Sequence, residues 1–420
     1  MKKIKNIIKN ENGAVSALVL FTVLMFIVIL MGVYLTVTAR QKAQIKSDMR
    51  IEQVYRKDVN NIDNVYDEII SKSKTVEEMK DRDYFKEKTI LRDSNGNIIT
   101  VPEGFKIASD SGSNVTEGIV IEDNDIIDGI GNNRGNQYVW VPVGTGIKKA
   151  NGSLVDITLG RYTFADGTND KDSNGKVLSK GTPILKQSAE NYTQEVLISP
   201  YYKEIATYRE GIASSGLDGL NTTSRGKQKE DGTYEGIKSF IDSVKANGGY
   251  YIARYEASYG IDGKANSKVS NSFTNSDTAP TTRTEGMLWN HIIQINAATA
   301  SRELYTTAIT DLMNSYAWDT AIVYIQNFSE DTDYSYQNSK NTTLSNTGVN
   351  KDEVCKINDM ASNTYEWTTE YTTYTHSSNA QPCTGRGGSY YDSNYYPSFR
   401  GVNDATGSSE YFAFRPTLYM

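Results

Sequence analysis

Asn358-Asp359-Met360-Ala361-Ser362-Asn363-Thr364-Tyr365-Glu366-Trp367-Thr368 carries the strongest structural signal in the chain, together with Arg386-Gly387-Gly388-Ser389-Tyr390 and Phe414-Arg415-Pro416. The first block sets two carboxylates, Asp359 and Glu366, around an irregular turn that leads into an aromatic segment. The other two put an arginine beside a Gly or Pro turn signal. A guanidinium offers a planar fork of donors, so Arg386 and Arg415 read as buried clamps on carbonyls and carboxylates, and the tryptophans as core. The remainder of 350–420 is short segments, Gly turns and aromatics, with no helix longer than a turn or two expected.

Upstream of these blocks, Gly249 to Ser258 alternates aromatic and polar residues as a half-buried strand does. Met287, Leu288, His291, Ile292 and Ile295 fall on one face of a predicted helix. Leu312, Met313, Tyr316, Ala317, Ala321, Ile322 and Ile325 fall on one face of a second. Tyr138-Val139-Trp140-Val141-Pro142-Val143 is an apolar strand opening a domain predicted over 136–420.

Residues 76–135 are rich in Asp, Asn and Gly and read as a small β-rich connector. Asp93-Ser94-Asn95-Gly96-Asn97 is a tight turn into a strand at Ile98-Ile99, because Asn and Gly tolerate positive φ. Gly118 to Ile121 is a second strand. Asp170-Lys171-Asp172-Ser173-Asn174-Gly175 fits the first half of a calcium loop, but Gly181 stands where the bidentate Glu belongs, so it reads as a solvated turn. Gly129-Ile130-Gly131 lacks the following helix that a dinucleotide site needs.

The N-terminus is of another kind. Ala14 to Val37 is almost wholly apolar, and as a helix it spans about 36 Å, enough to cross a hydrocarbon layer of ~30 Å. Lys2, Lys3, Lys5 and Lys9 precede it, which places the N-terminus in the cytoplasm and the C-terminal domain outside. Residues 1–50 hold eight basic and two acidic residues, +6, leaving 36 against 49, −13, for the exterior portion. From Gln41 to about Lys74, near-helical apolar spacing predicts a stalk, with the domain organisation running 1–40, 41–75, 76–135 and 136–420.

The 420 residues carry a formal charge of −7, against the basic face that nucleic-acid binding needs. A mean hydropathy of −0.52 excludes a polytopic membrane protein. Two cysteines exclude a disulfide-dense fold and an all-cysteine zinc site. Cys355 and Cys383 lie 28 positions apart, and a disulfide between them would contribute roughly 3.5 kcal/mol; free thiols are the alternative. Of the two histidines, His291 reads as a satisfied core residue and His376 as exposed.

The N-terminal arrangement of Lys-rich leader, Glu11-Asn12-Gly13, small residues and long apolar helix resembles pilin-like and pseudopilin-like proteins. That resemblance implies processing between Gly13 and Ala14 and a place in a pilus or type II secretion-like assembly. Those families carry a Glu at the fifth mature position, where this chain has Leu18, so a retained single-span anchor stands beside a processed minor pilin.

From Val139-Trp140-Val141-Pro142 through Tyr251-Ile252-Ala253-Arg254-Tyr255-Glu256, Leu312 to Ala321 and the three opening blocks, the ordered set resembles the formylglycine-generating-enzyme (sulfatase-modifying-factor) family. The implied fold is α+β, an irregular C-type-lectin-like domain with little regular structure behind the transmembrane and stalk helices. The family's structural calcium would fall on the Asp359 and Glu366 carboxylates and the Ser362 and Thr364 carbonyls. The alternative is that these carboxylates cap turns or pair with Arg386 and Arg415.

Copper-dependent members use a cysteine pair just after Arg-Gly-Gly-Ser, because thiolates select cuprous ion. Here that stretch is Tyr390-Tyr391-Asp392-Ser393-Asn394-Tyr395-Tyr396-Pro397, and two histidines cannot supply the iron branch's three, so neither copper nor iron is expected. In the lectin-like fold this region contacts ligands, and in retroelement-diversified proteins it carries the variable residues. Tyr390, Tyr391, Asp392, Asn394, Tyr395, Tyr396, Asn403, Asp404 and Tyr411 are the residue types that recognition loops favour. The sequence thus leads to a non-catalytic, membrane-anchored or pilus-associated surface protein binding an extracellular glycan or protein. A formylglycine-type oxidase and a structural pilin subunit are the rivals.

Overall fold

All five residues of Gly249–Ala253 are buried, which requires strand partners on both edges and cover on both faces. In the computed structural model, which describes residues 73–123, 135–198, 200–208, 223–337, 342–349, 352–392 and 394–420, this strand lies inside a six-stranded antiparallel sheet. The two main sheets and their helices are built, in chain order, from β1 (Phe105–Ile107), β2 (Val120–Asp123), β3 (Gln137–Pro142), β4 (Tyr202–Lys203), α1 (Ile237–Asn247), β5 (Gly249–Ala253), α2 (Gln294–Ser301), β6 (Ile309–Leu312), α3 (Ser315–Phe328), β7 (Tyr365–Thr372), β8 (Cys383–Arg386), β9 (Arg400–Asn403), β10 (Phe412–Phe414) and β11 (Pro416–Tyr419).

The first sheet runs β6-β11-β5-β3-β2-β1, and Tyr251 stands opposite both Trp140 and Leu418. In the second, β8 lies antiparallel between β7 and β9. Short β4 and parallel β10 share the other edge of β7. The overall structure is mixed, mostly sheet with few helices.

Helix α1 ends at Gly248, whose φ of +74 and N–H to the Val244 carbonyl make a left-handed cap before the turn into β5. Helix α3 starts at Asn314, whose side chain accepts from Ala317 N at 2.9 Å. It is buried on nearly every face because it packs against strands of both sheets, so its core residues extend well beyond the single predicted stripe.

Several expectations are corrected. Residues 76–123 are no separate connector: β1 and β2 extend the first sheet, and Val76, Leu91, Ile99 and Val101 join its core. The hairpin of Thr89–Arg92 with Ile98–Val101 forms around the predicted turn, with both Asn95 N and Asn97 N bonded to the Asp93 carboxylate. The first predicted helix begins only at Gln294, because Ser272 and Tyr259 hold Met287 and Leu288 in backbone pairing and His291 takes a φ of +51. At 249–253 the expected alternation fails since both faces are covered. Among the described residues no helix is long and apolar enough to cross a membrane. The expected span at 14–37, the Gly13–Ala14 processing site, the stalk to residue 72 and Gly129-Ile130-Gly131 lie outside the described residues.

Two buried charge systems hold the sheets. Arg415, fully buried, donates from Nε to Glu366 Oε2 at 2.6 Å, from Nη1 to the Ala253 carbonyl at 3.1 Å and from Nη2 to the Asn358 carbonyl at 2.8 Å. In the second, Glu370 takes Arg161 at 2.8 Å, Arg386 at 3.2 Å and Arg400 at 3.0 Å, while Asp319 of α3 takes Arg386 at 2.6 Å. Burial alone would raise Glu370, but Arg400, Arg386 and Arg161 hold it at about 2. Beside this network Glu204 accepts from Ser315 N, Ser315 Oγ and Thr369 Oγ1, with no cation bonded to it among the described residues, and burial pushes it up to about 7.

Arg415→Met leaves Glu366 buried and unpaired, and is expected to destabilise the protein by about 3–5 kcal/mol. Adding Glu366→Gln recovers part of that loss, and urea midpoints of the three proteins check both statements. Glu204 binds its proton more tightly folded than unfolded, so its contribution is full below the unfolded value of 4.5 and lost as pH rises to about 7, some ~3 kcal/mol in all. Glu204→Gln is expected to remove that slope; parallel stability curves for parent and variant between pH 5 and 8 contradict it.

Candidate functional site

Gly385 of β8 faces Gly401 of β9, so one patch of the second sheet carries no side chains of its own. Rings occupy the space. A Cβ on Gly385 would stand 2.6 Å from Phe412 Cε1, and one on Gly401 3.1 Å from Phe399 Cε1. The chain leaves β8 through Gly387, at φ +88, and Gly388, where a Cβ would lie 2.0 Å from the Ala361 carbonyl oxygen. That close approach, with Tyr390 N bonded to the Asn363 carbonyl at 3.0 Å, lays the following loop against the 358–364 turn.

A groove of about 370 Å³ opens over this floor. Tyr202, Tyr365, Tyr391, Tyr395, Phe399, Tyr411 and Phe412 line it, with Asp392, Arg400, Val402 and Asn403 between the rings. Tyr365 is the hub, with the centroids of Phe412, Tyr395, Phe399 and Tyr411 at 5.3, 5.6, 6.0 and 6.1 Å. At the rim, Tyr391 and Tyr411 stack at 4.6 Å and 24°, and Tyr391 is 65% exposed.

The polar groups are few. Tyr202 Oη donates to the Arg400 carbonyl at 2.7 Å. Tyr365 is buried and its hydroxyl has no hydrogen-bond partner, an arrangement that costs about 1–3 kcal/mol. Burial, with Tyr395 and Asp392 nearby, pushes that hydroxyl well above the ordinary tyrosine range, so it stays protonated. Arg400 turns inward: Nε donates to Glu370 at 3.0 and 3.1 Å, Nη1 to the Tyr162 carbonyl at 3.2 Å, and Nη2 to Asp319. The lining therefore carries one carboxylate, Asp392, and its single guanidinium is engaged elsewhere. Asp392 Oδ1 accepts from Asn394 N at 2.9 Å and Nδ2 at 2.8 Å.

Of the residues picked from sequence, Tyr391, Asp392, Tyr395, Asn403 and Tyr411 line this groove. Four do not. Tyr390 packs beside Leu288 and Leu344, Tyr396 against the Tyr336 ring at 4.6 Å, Asn394 onto Asp392, and Asp404 binds Thr406 N and Oγ1 at 2.8 Å. Tyr202, Tyr365, Phe399 and Phe412 were missed. Tyr365 stands inside the opening block, and only its pairing with Phe412 in parallel register reveals the groove.

Of the candidate calcium ligands, the two carboxylates are drawn into protein contacts. Glu366 is taken by Arg415, the alternative that pairing offered. Asp359 Oδ2 accepts from Thr347 Oγ1 at 2.9 Å and Gly348 N at 2.7 Å, Ser362 Oγ donates to Asp352 at 2.8 Å, and Thr364 N donates to Glu256 at 3.0 Å. Among the described residues no three His, Cys, Asp or Glu side chains are grouped to hold a metal. His291 Nε2 lies 2.7 Å from the Ser276 carbonyl oxygen, and His376 is exposed.

The expected Cys355–Cys383 disulfide is not formed. Both cysteines are free and buried in different clusters, Cys355 with the core of the first sheet and its Sγ toward the Thr116 carbonyl, Cys383 with the core of the second.

No family model matches this sequence, and no curated protein does. Two solved structures are similar: the crystal structure of CarF, at 12% identity over 52% of this chain and 97% of that one with a TM-score of 0.29, and Treponema denticola variable protein 1, at 12% over 68% and 96% with a TM-score of 0.24. At those scores the likeness is a loose one of fold, and nothing about activity follows from it.

Burial pushes the Cys355 thiol up to about 12 and that of Cys383 well above its ordinary value, so neither forms thiolate at neutral pH. The native protein is expected to resist a thiol reagent and to release two reactive thiols on unfolding without reductant. A mass two protons lower under non-reducing conditions contradicts that.

Proposed function

We propose that this protein recognises a ligand in the aromatic groove and performs no chemistry on it. The observation that carries the reading is the groove itself, seven rings over a glycine floor with Tyr391 and Tyr411 stacked at its rim. The rim rings supply contact area with few rotors to order. A non-catalytic role is supported by the lining, which offers one carboxylate but neither thiol nor imidazole beside it.

The same reading makes the protein a surface-displayed one. The apolar stretch 14–37 with lysines before it supports a membrane anchor or pilus-associated helix holding the acidic remainder outside. The ligand is then an extracellular glycan or protein.

Glycan-array and protein pull-down assays with the full chain test the reading. A ligand found this way is expected to lose at least about tenfold in affinity on the double substitution Tyr391→Ala and Tyr411→Ala, as removal of paired aromatic anchors does. Undiminished binding by a folded double variant places the site elsewhere.

A further inference from the structure

The charge pattern of the groove discriminates among ligands, an inference that rests on its being the recognition site. Ring faces carry negative potential, and seven rings line this cavity. Asp392 adds a carboxylate at the wall, and Arg400 spends its donors on Glu370, Asp319 and the Tyr162 carbonyl. An anionic group entering here meets a carboxylate and no available cation. A neutral hydroxylated ring meets the aromatic faces but gains nothing from the carboxylate that favours it over other neutral groups.

A cation bearing N–H groups satisfies every feature at once. It lies against the rings and pairs with Asp392 through the oxygen that Asn394 leaves open. We propose that the groove takes the basic end of a lysine or arginine side chain presented by a protein partner. The alkyl stem of such a side chain covers ring surface while its head reaches the polar groups.

The test titrates the full-length chain, in a nonionic polyoxyethylene detergent, with N-acetyl-lysine methylamide, n-butylammonium, the neutral isostere n-butanol, methyl β-glucoside and n-butyrate, followed by tyrosine fluorescence. The two cations are expected to bind at least about tenfold tighter than n-butanol, and butyrate more weakly still. Asp392→Asn keeps the oxygen that Asn394 uses, and is expected to weaken the cations about tenfold, to flatten their salt dependence and to leave n-butanol unchanged. Tyr365→Phe is expected to leave every probe unchanged, because that hydroxyl is closed off from the groove, with thermal midpoints confirming that both variants fold.

Equal affinity for cation and neutral isostere, tighter binding of the glucoside, or no effect of Asp392→Asn overturns the cation assignment. So does silence toward every probe while the Tyr391/Tyr411 double variant still abolishes array or pull-down binding; the groove then remains the site for something else. If that double variant also leaves array and pull-down binding intact, both readings fall together.

Discussion

One guanidinium ties the two sheets to each other. Arg415 sits where the chain steps from β10 in the second sheet to β11 in the first, and its fork reaches the Glu366 carboxylate on β7, the Ala253 carbonyl on β5 and the Asn358 carbonyl at the mouth of the 358–364 turn. Each contact fixes a register. The bond to Ala253 holds β11 opposite β5, and the pair with Glu366 holds β10 parallel to β7. Because Tyr365 and Phe412 are close neighbours of these two residues on the same strands, the fork also sets the two rings that form the groove floor. A lysine could place one charge there, but it has no second and third donor arranged in a plane.

The second charge system works from beneath. Arg161, Arg386 and the partly buried Arg400 converge on the buried Glu370 and Asp319, so strand Gly160–Phe164, helix α3 and strands β7 to β9 share one network. Three arginines against two carboxylates leave one positive charge in excess, and donors that the carboxylates do not take need other acceptors. The system is satisfied through carbonyls, those of Val196, Tyr202, Phe399 and Tyr162 among them. Its consequence for the site is indirect but decisive. Arg400 is drawn away from the cavity it lines, its bonds running to Glu370, Asp319 and the Tyr162 carbonyl.

Some of this is legible in the chain. Arg386 and Arg415 read as buried clamps because a guanidinium beside a Gly or Pro turn among aromatics has few other uses, and both make those contacts. Helix α3 shows in the spacing of Tyr316, Ala317, Ala321, Ile322 and Ile325. What fails is whatever depends on long-range pairing. Met287 and Leu288 have helical spacing with His291 and Ile295, yet backbone bonds to Ser272 and Tyr259 outweigh that local preference. Residues 76–123 look too polar for a core, and become part of one because β2 pairs along β3. The cysteines bracket a loop in sequence while their side chains enter separate clusters. Tyr365 looks like any core aromatic until Gly385 and Gly401, distant in sequence, are seen to clear the space above it.

This division between floor and rim has a physical consequence for how recognition can change. Floor residues are bound into the frame: Tyr365 among four rings, Gly385 under Phe412, Phe412 stacked on Trp367 at 4.2 Å. Altering any of them disturbs packing that the sheets need. The rim is held by short local bonds instead. Asp392 caps Asn394, Asp404 caps Thr406, and each loop makes its own turn without drawing on the core. Tyr391 can therefore change at little cost to folding, whereas Tyr411 packs against the core of the second sheet and Asn403 is paired in β9. Stability comes from arginines bound into the frame, and the exposed Tyr391 ring at the rim is one that the fold does not need.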